Sequence, residues 1–212
     1  MKTSFRTFLP LMAASVIATA PAHAATTIED TTTNGTSKYR LVVSDTAINW
    51  NDARAQAINI GGYLANITSL VEQNFLKDWL ANRYSNVWIG ASDVGEEGKW
   101  IWMDGPEAGL NFWNGAANGA TTPGSFAAWG TVRFSEPNNS GNEDYGSFNT
   151  SYGGPDGAWN DLQLNGNNVT RAFFVESAVP EPGTWMLMIL GLGAVGFAMR
   201  RRQKVGVRFQ FA

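Results

Sequence analysis

The chain has 212 residues, a formal net charge of −3, no cysteine and a single histidine, His23. Thiol and imidazole chemistry, the usual source of neutral-pH nucleophiles, general bases and zinc ligands, is therefore largely excluded. From Ala25 to Ala178 there are 17 acidic and 8 basic residues, a net of −9; nucleic acid and anionic lipid need clustered Lys and Arg and are poor partners, which leaves cations and neutral polar ligands.

Lys2 and Arg6 precede an apolar run from Phe8 to Ala20, and Ala22-His23-Ala24 supplies a small-x-small cleavage pattern, so residues 1–24 read as an export signal. The only histidine leaves with it. An exported domain without disulfides must be held by its core, by bound metal, or by both; nine Trp and twelve Phe offer the core. The Thr-rich stretch 25–37 reads as a polar linker, and residues 38–177 have the size of one domain.

Tyr39 to Val43, β-branched and aromatic, predicts a strand. Asn49 caps a predicted helix from Trp50 to about Ile60 that Gly61-Gly62 ends. Ser69-Leu70-Val71-Glu72 is a capping box for a second helix reaching about Ala81, with Leu70, Phe75, Leu76, Trp79 and Leu80 as its apolar face. Val87–Ala91, Lys99–Met103 and Thr170–Glu176 read as short strands. Between Asp104 and Asn168 lies a long segment rich in Gly, Asn and Trp, with a low-complexity piece at 115–125; a loop this long is functional or disordered. Trp88, Trp100, Trp102 and Trp159 are expected in the core, whereas Phe112, Trp113 and Trp129 divide evenly between core and sugar-stacking roles.

Within that segment, Glu136-Pro137-Asn138, Glu143-Asp144 and Trp159-Asn160-Asp161 gather carboxylate and amide oxygens. Ca2+ accepts roughly six to eight such oxygens at flexible geometry, which suits ligands arriving from separate loops. Glu136, Asn138, Glu143, Asn160 and Asp161 make a candidate metal and carbohydrate site of three carboxylates and two amides. A carboxylate pair such as Glu136 and Glu143 also fits a glycosidase, but acids committed to metal are not free to transfer protons, so the expectation is a non-enzymatic protein. The tail carries Val179-Pro180-Glu181-Pro182, an apolar span over 183–199 at the short limit for crossing a bilayer, then Arg200-Arg201-Arg202. The basic cluster and residues 204–212 are expected on the cytoplasmic side.

Two resemblances follow. Asn49-Trp50-Asn51-Asp52-Ala53-Arg54 with Gly61-Gly62-Tyr63-Leu64-Ala65, Trp88-Ile89-Gly90, Trp129, Glu136-Pro137-Asn138 and Trp159-Asn160-Asp161, in that order, resemble the C-type lectin-like domain across 38–177. The resemblance implies an α+β fold with two helices, small antiparallel sheets and a long calcium-binding loop region, a cis peptide before Pro137, and Ca2+-dependent binding of mannose-, glucose- or fucose-type hydroxyls. It implies a further calcium site at Asp93, Glu97 and Asp144, with Asn139 where an aspartate is common. It also places the usual half-cystines at Ala57, Tyr145, Leu164 and Val175. The alternative within this family is a protein-binding or structural domain that keeps calcium for loop order. Residues 178–203 resemble a PEP-CTERM sorting signal, which implies a Gram-negative envelope, transient anchoring in the inner membrane, processing by an exosortase, and delivery to the cell surface or an exopolysaccharide matrix. Glycan or exopolysaccharide is then the expected ligand.

Overall fold

The computed structural model describes residues 24–131, 135–148, 157–168, 170–179, 182–201 and 210. The export signal and most of the cytoplasmic tail expected above lie outside those residues. Strands β1 (Thr26–Asn34) and β2 (Ser37–Ser44) form an antiparallel hairpin, registered from Thr26 opposite Ser44 to Asn34 opposite Ser37. This corrects the linker expected over 25–37. Threonine is β-branched and favours extended backbone, and β1 is fastened to the second helix: Arg83 pairs with Glu29 at 3.1 Å and Asp30 at 3.2 Å, and Trp79 Nε1 donates to Asp30 at 3.0 Å.

Helix α1 (Trp50–Asn59) starts where expected, with the Asn49 side chain accepting from the Asp52 N–H at 2.8 Å, and buries Trp50, Ala53 and Ala57. After the short β3 (Tyr63–Leu64), α2 (Leu70–Leu80) is capped by Ser69 Oγ, which accepts from the Glu72 N–H at 3.2 Å. The Glu72 carboxylate completes the cap one residue further out, accepting from the Thr68 N–H at 2.9 Å and from the Tyr39 hydroxyl at 2.6 Å. Leu76 and Leu80 are buried, but Leu70 is 60% exposed, so the expected apolar face begins later than its pattern implied.

The remaining strands are β4 (Val87–Ser92), β5 (Lys99–Trp102), β6 (Asn111–Asn114), β7 (Ala120–Thr121), β8 (Tyr145–Phe148), β9 (Asn160–Leu162) and β10 (Ala172–Ala178). They join one sheet in the order β1-β2-β10-β4-β5-β6-β7, with β3 on β10, β8 on β4 and β9 on β8. The sheet is mixed, since β10 runs parallel to β4, where separate antiparallel sheets were expected. The architecture is α+β.

The four tryptophans expected in the core are buried there, and Phe112 and Trp129 join them. Ala57 and Val175 are buried in the same apolar cluster with Trp50, Trp88 and Tyr145. Apolar packing thus stands where the family places half-cystines, except at Leu164, which is 40% exposed.

A buried acidic group links β2, α2 and β10. Ser37 Oγ donates to Glu176 Oε1 at 2.7 Å and the Asn66 N–H donates to Oε2 at 3.2 Å. Burial pushes the Glu176 carboxyl up to about 7, with the nearby charge of Glu72 adding to the effect; burial also raises Glu72. A carboxyl whose folded pKa is raised binds its proton more tightly in the native state, so stability is fully present below the unfolded value of roughly 4.3 and is lost as pH rises. The melting temperature should fall between that pH and about 7, and Glu176→Gln should flatten the fall; calorimetry across the range checks it.

Helix α3 (Pro182–Arg201) leaves most of its large apolar side chains exposed. Among the described residues no helix is long and apolar enough to cross a membrane; the span expected over 183–199 falls within α3.

Candidate functional site

β9 carries Asn160 and Asp161 into the heart of the sheet, paired with β8 so that Asp161 lies opposite Gly146 and Asn160 opposite Ser147. A Cβ at residue 146 would come within 2.7 Å of the Ala91 side chain, so glycine there lets β8 lie close against β4. The loop before the tripeptide is tied to the same strand. The Gly130 N–H donates to the Trp159 carbonyl and the Trp159 N–H to the Ala128 carbonyl, each at 2.8 Å, and the Glu136 N–H donates to the Gly130 carbonyl at 2.8 Å.

The Glu136–Pro137 peptide is cis, as the resemblance implied. Asp161, fully buried, straddles the turn that follows: Oδ1 accepts from the Asn138 N–H at 3.0 Å and Oδ2 from the Asn139 N–H at 2.7 Å. Asn139 Oδ1 accepts from the Glu143 N–H at 2.7 Å, and Glu143 Oε2 from the Ser140 N–H at 3.0 Å. Asn138 Nδ2 donates to Glu136 Oε2. Sequence reasoning gave Asn139 only as a substitution at a second site; here it organises the first. Its positive φ of 50°, shared by Asn142 at 71°, was signalled by the Asn-Asn-Ser-Gly-Asn run, since Asn tolerates left-handed backbone.

All five expected residues meet around this loop. Glu136, Glu143, Asn160 and Asp161 are buried and Asn138 is exposed at the rim. Glu136, Asn138, Ser140, Glu143 and Asn160 line a cleft of about 560 Å³. Burial, reinforced by the charge of Asp161, pushes the Glu136 carboxyl up to about 8 and the Glu143 carboxyl to about 7; burial raises Asp161 as well. The cluster thus holds more negative charge than its surroundings accommodate. The buried Asn160 Oδ1 has no hydrogen-bond partner, although an unpaired buried acceptor costs roughly 1–3 kcal/mol.

The other acidic set lies nearby. Asp93 is buried, its Oδ2 accepts from the Gly98 N–H at 2.8 Å, and its Oδ1 is unpartnered. Burial, then the charges of Glu97, Asp144 and Asp161, push it up to about 7. Glu97 is raised by its own desolvation and by Asp144 and Asp161. Asp144 accepts from Asn142 Nδ2 at 2.8 Å. Among the described residues no group of three or more His, Cys, Asp or Glu side chains is arranged to hold a metal ion by itself. Any cation in the cleft draws on amide oxygens too, and the mixed donors of Glu136, Glu143 and Asn160 have the hard-oxygen chemistry that Ca2+ accepts.

Comparison with known proteins agrees with the fold. Residues 46–168 match the model of the C-type lectin domain, and residues 178–202 match the PEP-CTERM protein-sorting motif. Halomucin of Haloquadratum walsbyi is 37% identical over 121 residues, 54% of this chain and 1% of its own length. The chain spans about a quarter or less of the first curated relatives it matches. The mouse scavenger receptor C-type lectin carbohydrate-recognition domain superposes with a TM-score of 0.51 at 20% identity, covering 71% of this chain and 95% of that one. A calcium-independent type II antifreeze protein superposes with a TM-score of 0.50 at 26% identity, covering 74% and 98%. The chain belongs to the C-type lectin domain family and carries a PEP-CTERM sorting motif behind that domain.

Proposed function

We propose that this protein binds carbohydrate through calcium at the cleft of Glu136, Asn138, Glu143, Asn160 and Asp161, taking sugars with mannose-, glucose- or fucose-type vicinal hydroxyls. The observation that carries the reading is the unpartnered, buried Oδ1 of Asn160, set in a cleft whose carboxylates Glu136 and Glu143 are raised by burial and by the charge of Asp161. Ca2+ would supply the positive charge this set lacks and an acceptor for hydroxyl lone pairs. Around it, the Glu136 and Glu143 carboxylates accept protons from sugar hydroxyls, while the Asn138 and Asn160 amides donate to their oxygens. Asp161 holds the turn. The PEP-CTERM motif supports processing by an exosortase and delivery to the cell surface or exopolysaccharide matrix of a Gram-negative bacterium.

Retention of the full chain on mannose-agarose tests the reading. Elution by EDTA and by free mannose is expected, and the double change Glu136→Gln, Asn138→Asp should weaken retention at least about tenfold by altering which groups donate and accept. Elution by EDTA alone, or no retention, would instead support a domain that uses calcium only for loop order. The similarity to a calcium-independent antifreeze protein favours keeping that second reading.

A further inference from the structure

Beside the proposed calcium cleft lies a second hollow of about 390 Å³, whose walls include Asn142, Gln163, Leu164 and Asn165. Gln163 is a wall of both. Each volume falls within the range of small-molecule sites, roughly 300–1,000 Å³. Gln163 is half-buried, and its Nε2 lies 2.9 Å from where a Cβ at Gly141 would stand, so the amide rests against the loop at the junction. The Asn165 side chain is exposed beside it, with Oδ1 accepting from the Asn167 N–H at 3.1 Å. Leu164 adds a 40%-exposed apolar surface. Its carbonyl accepts from the Trp50 N–H at 3.0 Å, so the backbone at the second hollow is anchored to α1.

The chemistry of these walls selects an occupant. Amides donate and accept at fixed angles, and an aliphatic side chain packs against C–H groups, so the surface matches a sugar ring with its hydroxyl edges and apolar face. Among the described residues no Lys or Arg lines either hollow, and Glu136 and Glu143 line the first. An anionic chain therefore finds no counter-charge, whereas a neutral one loses nothing. We infer that the two hollows form one groove for a neutral chain of linked sugars, the first seated on the Glu136–Asp161 cluster and the next on Gln163, Leu164 and Asn165. The inference rests on the carbohydrate reading above and names its ligand class: an oligosaccharide or neutral polysaccharide rather than a single sugar.

Calorimetry on the full chain in calcium, with methyl α-mannoside, linear mannotetraose and an alginate tetramer as probes, tests it. The tetraose should bind at least about tenfold more tightly than the monosaccharide, beyond the roughly fourfold statistical advantage of four equivalent units. The alginate tetramer should show no such gain. Leu164→Ser and Asn165→Ala should each cut the tetraose advantage at least about threefold and leave methyl α-mannoside affinity as in the parent, which also reports that the variants fold. Tetraose and monosaccharide affinities within fourfold of each other, or an advantage that survives both variants, overturn the groove while leaving the calcium site standing. Absence of binding to either mannose probe removes the carbohydrate reading, and the groove falls with it.

Discussion

Asp161→Ala should lower mannoside affinity by about 100-fold, the upper end of what residues that orient metal ligands contribute. The carboxylate is fully buried and bonds both the Asn138 and Asn139 N–H groups. These are charge-assisted bonds, each worth roughly 1.5–3 kcal/mol, and Asn139 in turn holds Glu143 through its backbone. Alanine therefore releases the whole turn, not one ligand. Asp161→Asn retains one carbonyl oxygen and should fall between the two. Calorimetric titration with Ca2+ and then methyl α-mannoside measures both, and an Asp161→Ala variant that binds like the parent would show that the five-residue cluster is not the site.

Trp159→Ala should cost about 3–5 kcal/mol of unfolding free energy, the range for truncating a buried Trp. Its ring lies 5.6 Å from Trp129, 5.8 Å from Trp102, 5.9 Å from Phe126 and 6.0 Å from Phe112, mostly edge-to-face. Its Nε1 donates to Gln73 Oε1 at 2.8 Å, and Gln73 Nε2 reaches the Gly157 carbonyl at 2.7 Å. The indole thus joins α2, β5, β6 and the loop that carries Trp129. Trp113 lies at the edge of the same cluster, only partly buried, and Trp113→Ala should cost clearly less. Urea denaturation compares the two; equal midpoints would mean that the aromatic cluster does not centre on Trp159.

The parts of this structure that were legible in the sequence are those with local signals. Asn49 and Ser69 announce α1 and α2 because each cap needs only a side-chain oxygen and an N–H two or three residues on. The gathering of Glu136, Asn138, Glu143 and Asn160 around one cleft was legible because these residue types are chemically unusual together. The β1 strand was hidden: its polar threonines carry no alternating apolar pattern, and what holds it is pairing with β2 and ion pairs to Arg83, more than fifty residues away. Leu70 misled for a related reason, since sequence spacing cannot tell which end of a helix clears the core. The second hollow had no signal at all, because Asn142 and Asn165 are ordinary turn residues whose proximity depends on how two distant loops close.

The burial of Ala57 and Val175 in one apolar cluster, in a chain without cysteine, has a practical corollary. Maturation of this domain involves no thiol pairing, so no oxidant, isomerase or electron acceptor takes part and no mispaired covalent isomers arise. The same native state is accessible in a reducing cytosol, an anaerobic culture or a cell-free extract, and the timing of its assembly is uncoupled from the redox state of the compartment into which it is delivered.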